Sequence, residues 1–420
     1  MTRRLDLIAG NGLLQRRAFL ADALLVPGAF AAMRARGEGL ADAPWSRQPG
    51  APPRGYGMPA PQESGVVRAT YTDTPGVAPG AAVSFTPLEK LRGRITPNGL
   101  HFERHHAGVP AVDPQQHRLV IHGLVSRPLS FGVNDLLRYP LVSRLHFLEC
   151  SGNSLVNALP EPQQLPCGVI HGLVSCAEWT GVPLGLLLSE AGVSPEAEWG
   201  IAEGADGARM NRSIPLAKLR EDALVALYQN GERLRPEQGY PLRLFLPGWE
   251  GNTSVKWLRR IELARAPVHS REETARYSDL VAGGRARQFT FEMGVKSVIT
   301  HPSVGADLGP HGVYEISGLA WSGAGKIARV ELSADAGASW SEAELEEPVL
   351  PRCLTRFRIA WRWDGAPAVL ASRATDETGA RQPERAEWLP RYSVAGEKYH
   401  YNAVQRWRVE ASGAVRNTFA

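Results

Sequence analysis

Leu145-His146-Phe147-Leu148-Glu149-Cys150-Ser151-Gly152-Asn153 runs an apolar segment straight into a Gly/Asn turn, with a single cysteine at the junction. The pattern predicts a strand that ends by delivering a thiol to a loop, where it can be held in place without being buried mid-sheet. Such a thiol suits a redox metal, because a deprotonated sulfur is a strong and polarisable donor. An isolated cysteine more often serves as a small core hydrophobe. Its surroundings therefore have to decide between the two.

The chain has 420 residues, enough for two domains with large cores plus extensions. Its net charge is +4, and half of that excess lies in residues 1–32, which carry four Arg and two Asp. That balance argues against a nucleic-acid platform. With 43 Gly, 32 Pro and 11 Trp among many short apolar runs, the composition predicts strands and irregular loops over long helices. Cys150, Cys167, Cys176 and Cys353 form no CxxC pair and no Cys/His zinc spacing. There is also no CxxCH, so no haem is expected on this chain and electrons would leave through another polypeptide.

Gln15-Arg16-Arg17-Ala18-Phe19-Leu20 resembles a twin-arginine export motif, and Ala18 to Ala32 is weakly apolar and ends in small residues. Residues 1–32 are therefore expected to be a twin-arginine signal peptide directing the protein to the periplasm. No other segment stays apolar for the roughly 20 residues of a membrane span. Residues 33–69, Pro/Gly-rich from Pro44 to Pro61, predict an extended arm. Residues 70–286 mix short strands such as Arg118–His122 with helical patterns such as Val182–Ala191, which predicts an α+β domain.

Beyond residue 287 the pattern turns to strict alternation. Phe357, Ile359, Trp361 and Trp363 share one strand face, opposite Arg356, Arg358, Ala360 and Arg362. Ala328, Val330 and Leu332 alternate likewise before the turn at Asp335-Ala336-Gly337, as do Trp407 and Val409 against Arg406 and Arg408. Residues 287–420 are thus expected to form a β-sandwich with these tryptophans in its core.

Three further motifs carry chemistry. Phe102-Glu103-Arg104-His105-His106 offers an anion a planar donor fork and titratable donors. Pro241-Leu242-Arg243-Leu244-Phe245 leads through a glycine-bearing loop to Ser254-Val255-Lys256-Trp257-Leu258, a setting suited to a phosphate or polar heterocycle. Tyr277 follows Arg276 in a polar stretch. No recognisable histidine partner motif accompanies Cys150, which sets a cysteine hydrolase aside.

In this order the motifs resemble the sulfite oxidase family of molybdopterin enzymes, over roughly Thr70 to Val409. Phe147–Asn153 is similar to the segment that supplies the molybdenum ligand, which makes Cys150 that ligand. The resemblance implies a molybdopterin-binding domain followed by an immunoglobulin-like dimerisation domain, and molybdenum with molybdopterin as cofactor. It implies cofactor contacts from Phe102, Arg104, His105, Cys150, Asp206, Gln238, Arg243, Ser254, Val255 and Lys256, with Gln238 standing where some relatives have His. Arg104, His106, Tyr277 and, from the second domain, Arg391 would face the substrate.

Where free-sulfite relatives often carry arginines after the Gly-Asn, this chain has Ser154-Leu155, and Val169 falls where they have a pocket tryptophan. Together with Cys176–Pro183 and Thr375–Gly379, this is similar to the sulfane dehydrogenase molybdenum subunit within the family. The implied activity is oxygen-atom transfer to sulfane sulfur on a carrier protein, with a c-type cytochrome as acceptor and a homodimer or heterotetramer as assembly. A sulfite dehydrogenase acting on free sulfite and a noncatalytic periplasmic scaffold are the alternatives.

Overall fold

The computed structural model describes residues 10–13, 49, 52–72, 80–391 and 399–420. The twin-arginine segment, most of the expected arm before Pro52, and Tyr392 lie outside the described residues. Pro53 to Ser64 is exposed, with one short 3-10 turn at Pro61–Glu63. Among the described residues, no helix is long and apolar enough to cross a membrane.

The first domain is built on three sheets. Val142–Glu149 pairs antiparallel with Val174–Pro183, which continues through Leu224–Gln229 to Glu232–Arg233, and Arg243–Phe245 also joins Leu224–Gln229. The tight Asn230-Gly231 reversal between Leu224–Gln229 and Glu232–Arg233 has positive φ at both residues, the geometry a two-residue hairpin needs. A second sheet places Leu258–Ala264 between Leu119–Gly123 and Trp199–Gly204, with the first of these pairs parallel. A three-stranded sheet of Ala69–Thr72, Ala82–Phe85 and Glu103–His105 flanks the site. Helices are short. The expected helix over Val182–Ala191 begins only at Leu184, since Val182 and Pro183 complete a strand.

The second domain is a sandwich of a four-stranded and a five-stranded sheet. In Thr355–Trp363 the aromatic face is buried as its alternation predicts, but Arg356 on the other face is buried too. Its guanidinium donates through Nε and Nη2 to the carbonyls of Gly93 and Leu91 in the first domain, while Nη1 is buried without a hydrogen-bond partner. Ala328 is exposed, contrary to the alternating pattern. A bulge between Ile327 and Arg329 shifts the register, and Ile327 takes the inward place.

The domains share one of the buried apolar clusters, while the first domain has two more of its own. Phe147, Ile170, Val174 and Cys176 of the first domain belong to the same buried apolar cluster as Val298, Trp321, Phe357 and Trp407 of the second. The Phe147 N–H bonds the Arg352 carbonyl at 3.1 Å across this junction. Leu13 is buried on the second domain, where Trp361 Nε1 donates to the Asn11 carbonyl at 2.7 Å.

Candidate active site

Strand Val142–Glu149 ends where the sequence suggests, and the turn after it is closed by the Asn153 N–H bonding the Cys150 carbonyl at 2.9 Å. Cys150 is partly exposed and unpaired, and it lies on the shared wall of two cavities. Burial pushes its thiol up, opposed by the Gly152 N–H and the Arg104 cation.

The first cavity has an empty volume of about 650 Å³ and collects Phe102, Arg104, His105, Asp206, Gln238, Arg243, Ser254, Val255 and Lys256, every cofactor contact expected from the sequence. Strand Glu103–His105 supplies the first group, and the loop after Arg243–Phe245 supplies the last. Arg243 holds the wall together: its guanidinium donates to the carbonyls of Gln238 at 3.1 Å and Ser254 at 2.8 Å. Gln238 in turn donates to the Phe102 carbonyl at 3.0 Å, so one arginine fixes both strand and loop. Ser254 Oγ accepts from the Leu246 N–H. Arg243 Nε is buried without a partner, and burial lowers the group to about 9.

Lys256 donates to the carbonyls of Arg104 and Glu237 and to His105 Nδ1 at 2.8 Å. An ammonium can only donate, so His105 accepts at Nδ1 and gives its Nε2 proton to Glu103 at 2.8 Å. Glu103 is also paired with Arg68. Burial, then the neighbouring Arg243 charge, lower Lys256 to about 7. All three of its N–H donors are engaged inside the protein. It acts on a bound anion through its charge, or by exchanging one of those bonds.

The second cavity, about 890 Å³, is lined by Tyr71, Phe85, Leu155, Arg276 and Tyr399, and shares Arg104, His106, Cys150 and Tyr277 with the first. His106 Nε2 lies 2.8 Å from the Tyr277 hydroxyl, and Arg276 donates to His106 Nδ1 at 3.4 Å. Burial and the Arg104 and Arg276 charges lower His106 to about 3, which keeps it neutral. With Nδ1 accepting, the ring proton sits on Nε2 and points to the Tyr277 oxygen. The phenolic hydrogen of Tyr277 is then free for an oxygen in the cavity. Arg212 lies behind that ring, 5.2 Å from its centroid.

Arg391 is not brought to the site. It ends the 3-10 turn Leu389–Arg391, exposed, and lines neither cavity, because Trp388 and Leu389 occupy the inward positions of that turn. The second domain instead contributes Tyr399 to the cavity and His400 to the loop behind it. His400 donates its N–H to the Ser151 carbonyl at 2.9 Å and pairs with Glu250. The two sites of departure also resolve: Leu155 lines the second cavity, whereas Ser154 is buried away from it and Val169 faces neither cavity. Neither Ser154 nor Val169 therefore adds a cation or bulk to either cavity. Asn252, Arg276 and Tyr399 escaped the sequence reading because nothing local marks them. Only the fold brings them to Cys150.

Among the described residues, no group of three or more His, Cys, Asp or Glu side chains is placed to hold a metal. One thiol therefore leaves the rest of a metal's coordination to a separate anionic group. The first cavity fits one: three cations, Arg104, Arg243 and Lys256, face a single carboxylate, Asp206, and an unpartnered guanidinium N–H waits in a dry wall. A cationic cleft ending at a lone thiol, on a domain followed by a β-sandwich, is the arrangement that the resemblance to molybdopterin-binding oxidoreductases implies.

Residues 106–272 match the oxidoreductase molybdopterin binding domain, and residues 287–406 match the Mo-co oxidoreductase dimerisation domain. Sulfite oxidase of Gallus gallus is 33% identical over 299 residues, 66% of this chain and 63% of that protein. NADH nitrate reductase of Solanum lycopersicum is 31% identical over 72% of this chain and 38% of that protein. The chain thus spans less than two thirds of these relatives. The crystal structure of the sulfane dehydrogenase SoxCD from Paracoccus pantotrophus aligns with a TM-score of 0.85 at 44% identity, covering 90% of this chain and 97% of that chain. The chain belongs to the sulfite oxidase family of molybdopterin oxidoreductases. Molybdenum with molybdopterin is the cofactor of that family, and Arg243, Lys256, Asp206 and Cys150 are the residues that would hold it here.

Proposed function

We propose that the protein oxidises sulfane sulfur bound to a carrier protein, with free sulfite as the alternative substrate, and passes electrons to a c-type cytochrome in the periplasm. The observation that carries this reading is the placement of Cys150 between a cationic cavity and a wider, aromatic-walled one. Held by Cys150, Asp206, Arg243 and Lys256 in the first cavity, a molybdenum cofactor would supply oxygen-atom transfer to the substrate sulfur and would accept the two electrons released. Arg104 lies on the wall of both cavities and steadies negative charge developing on the sulfur oxyanion. The Tyr277 hydroxyl, oriented by His106, donates to an oxygen of the same group. Tyr71, Phe85 and Leu155 give the second cavity an apolar wall that a peptide-borne sulfur can lie against.

Likeness to a sulfane dehydrogenase at 44% identity, against 33% for a sulfite oxidase, supports the carrier-bound substrate. The twin-arginine motif supports periplasmic export. The match to a dimerisation domain supports a homodimer or, with a cytochrome subunit, a heterotetramer. Molybdenum analysis and turnover test the reading together. Near-stoichiometric metal that disappears in Cys150→Ala, with cytochrome reduced from a sulfur-loaded carrier, is the expected result. Folded native protein without molybdenum would point to a scaffold, and turnover of sulfite alone to a sulfite dehydrogenase.

A further inference from the structure

Strand Val142–Glu149 alternates its side chains between two faces, and the alternation continues to the ligand cysteine. Phe147 packs into the core shared with the second domain, and Leu148 lines the first cavity. Glu149 then turns back toward the second domain, and Cys150 returns to the cavity. Glu149 is 1% exposed, and donors surround its carboxylate. Trp321 Nε1 reaches Oε2 at 2.6 Å, while Lys296 Nζ reaches Oε1 at 3.1 Å and Asn153 Nδ2 reaches it at 2.9 Å.

The same ammonium donates to Ser154 Oγ at 2.7 Å, on the far side of the Cys150–Asn153 turn. Ser154 sits there with φ +68°, a conformation a serine adopts only where its surroundings hold it. Its hydroxyl accepts from Lys296, so its own proton goes to His171 Nδ1, 2.7 Å away. Burial lowers His171 well below its ordinary range. Neutral, it carries its proton on Nε2 and donates to Gln405 Oε1 at 3.1 Å. Lys296, Glu149 and Ser154 line neither of these two cavities.

We propose that Lys296 is a positioning residue for the metal-ligand thiolate: by bridging Glu149 and Ser154 it closes the turn that presents Cys150, and it makes that ligand's geometry and local charge depend on the second domain. The inference rests on Cys150 being the molybdenum ligand. A buried ion pair costs more desolvation than it returns unless its remaining donors and acceptors are met; here Glu149 accepts from three donors, and Lys296 has two acceptors with the Trp321 ring centroid 5.5 Å away. Ser154, where relatives carry an arginine, is thereby a structural partner of Lys296 and not a substrate contact. Residues that fix a ligand from behind tune both its orientation and the electronics of the metal.

The charge arithmetic gives a signed test. Lys296→Met strands a carboxylate beside the thiolate, favours the more oxidised metal and lowers the Mo(VI)/Mo(V) midpoint potential. Glu149→Gln strands an ammonium and raises it. The Glu149→Gln/Lys296→Met double variant removes both charges and returns the potential toward wild type. Redox titration followed by the Mo(V) electron paramagnetic resonance signal reads all three. Amide hydrogen exchange of residues 150–155 in the cofactor-free chain is the companion measurement, with faster exchange confined to that turn expected in Lys296→Met. Shifts of the same sign in both single variants, with no recovery in the double, would mark a merely structural role and overturn the proposal. A wild-type protein without molybdenum removes the ligand reading instead. The exchange comparison then decides alone, and unchanged protection of the turn sinks the clamp.

Discussion

Lys256 shows how far a single residue reports on what its cavity is built for. Its ordinary value is 10.5, and in the cofactor-free fold burial and the Arg243 charge bring it to about 7. Between those values the unfolded chain binds a proton that the folded chain does not, so this residue makes stability rise with pH across that window. Lys256→Met abolishes that contribution. Urea unfolding of cofactor-free wild type and variant from neutral pH to pH 10 should therefore give a stability difference that moves in favour of wild type as pH rises, and a flat difference would contradict the placement of Lys256. An anion bound in the cavity reverses the shift, so cofactor loading should take up protons in the same range. At this scale the sequence was most legible where chemistry is local. Cys150, Arg104, His106, Tyr277, Arg243 and Lys256 all reach the cavities from motifs readable in a few residues. Arg391 does not, because its direction depends on how Trp388 and Leu389 pack, which no local pattern shows.

Short elements do the positioning, and the turn at Gly239 is one that meets the cavity directly. This residue follows the 3-10 turn Pro236–Gln238 with φ +107°, and a Cβ there would lie 3.1 Å from the Cβ atoms of both Arg243 and Lys256. Gly239→Ala therefore strains the backbone and pushes on the two cavity cations at once. A cost of roughly 1–3 kcal/mol is expected for the conformation alone. Thermal unfolding should show the loss, and molybdenum content should fall with it because the carbonyls that hold Arg243 and Lys256 move. Retained metal at wild-type stability would show that the turn tolerates the change. The strands of the second domain were readable from alternation, since one buried face leaves a period of two in the sequence. The misplacement of Ala328 marks the limit of that reading, because the bulge beside it depends on pairing with Ala368–Asp376 rather than on residues 327–329 themselves.

At the scale of the whole molecule, two matched domains share one of their buried clusters, and that sharing predicts how the chain unfolds. Trp321 is fully buried in the second domain, its ring centroid 6.5 Å from that of Phe147 and its Nε1 on Glu149. Alternation in the second domain's strands predicted a core there but could not say that part of it came from the other domain, because such contacts leave no periodic trace in either segment. Removing a buried tryptophan costs about 3–5 kcal/mol through lost transfer energy and the cavity left behind. In independent domains Trp321→Ala would lower one of two unfolding transitions and leave the other in place. With a shared core, calorimetry of the metal-free chain should show a single transition that moves as a unit. The same variant should loosen the Cys150 turn, since Glu149 loses its 2.6 Å donor. Two separable transitions, only one of them shifted, would show that the second domain packs against the first without being required by it, and the influence assigned to Lys296 would then have to act through its charge alone.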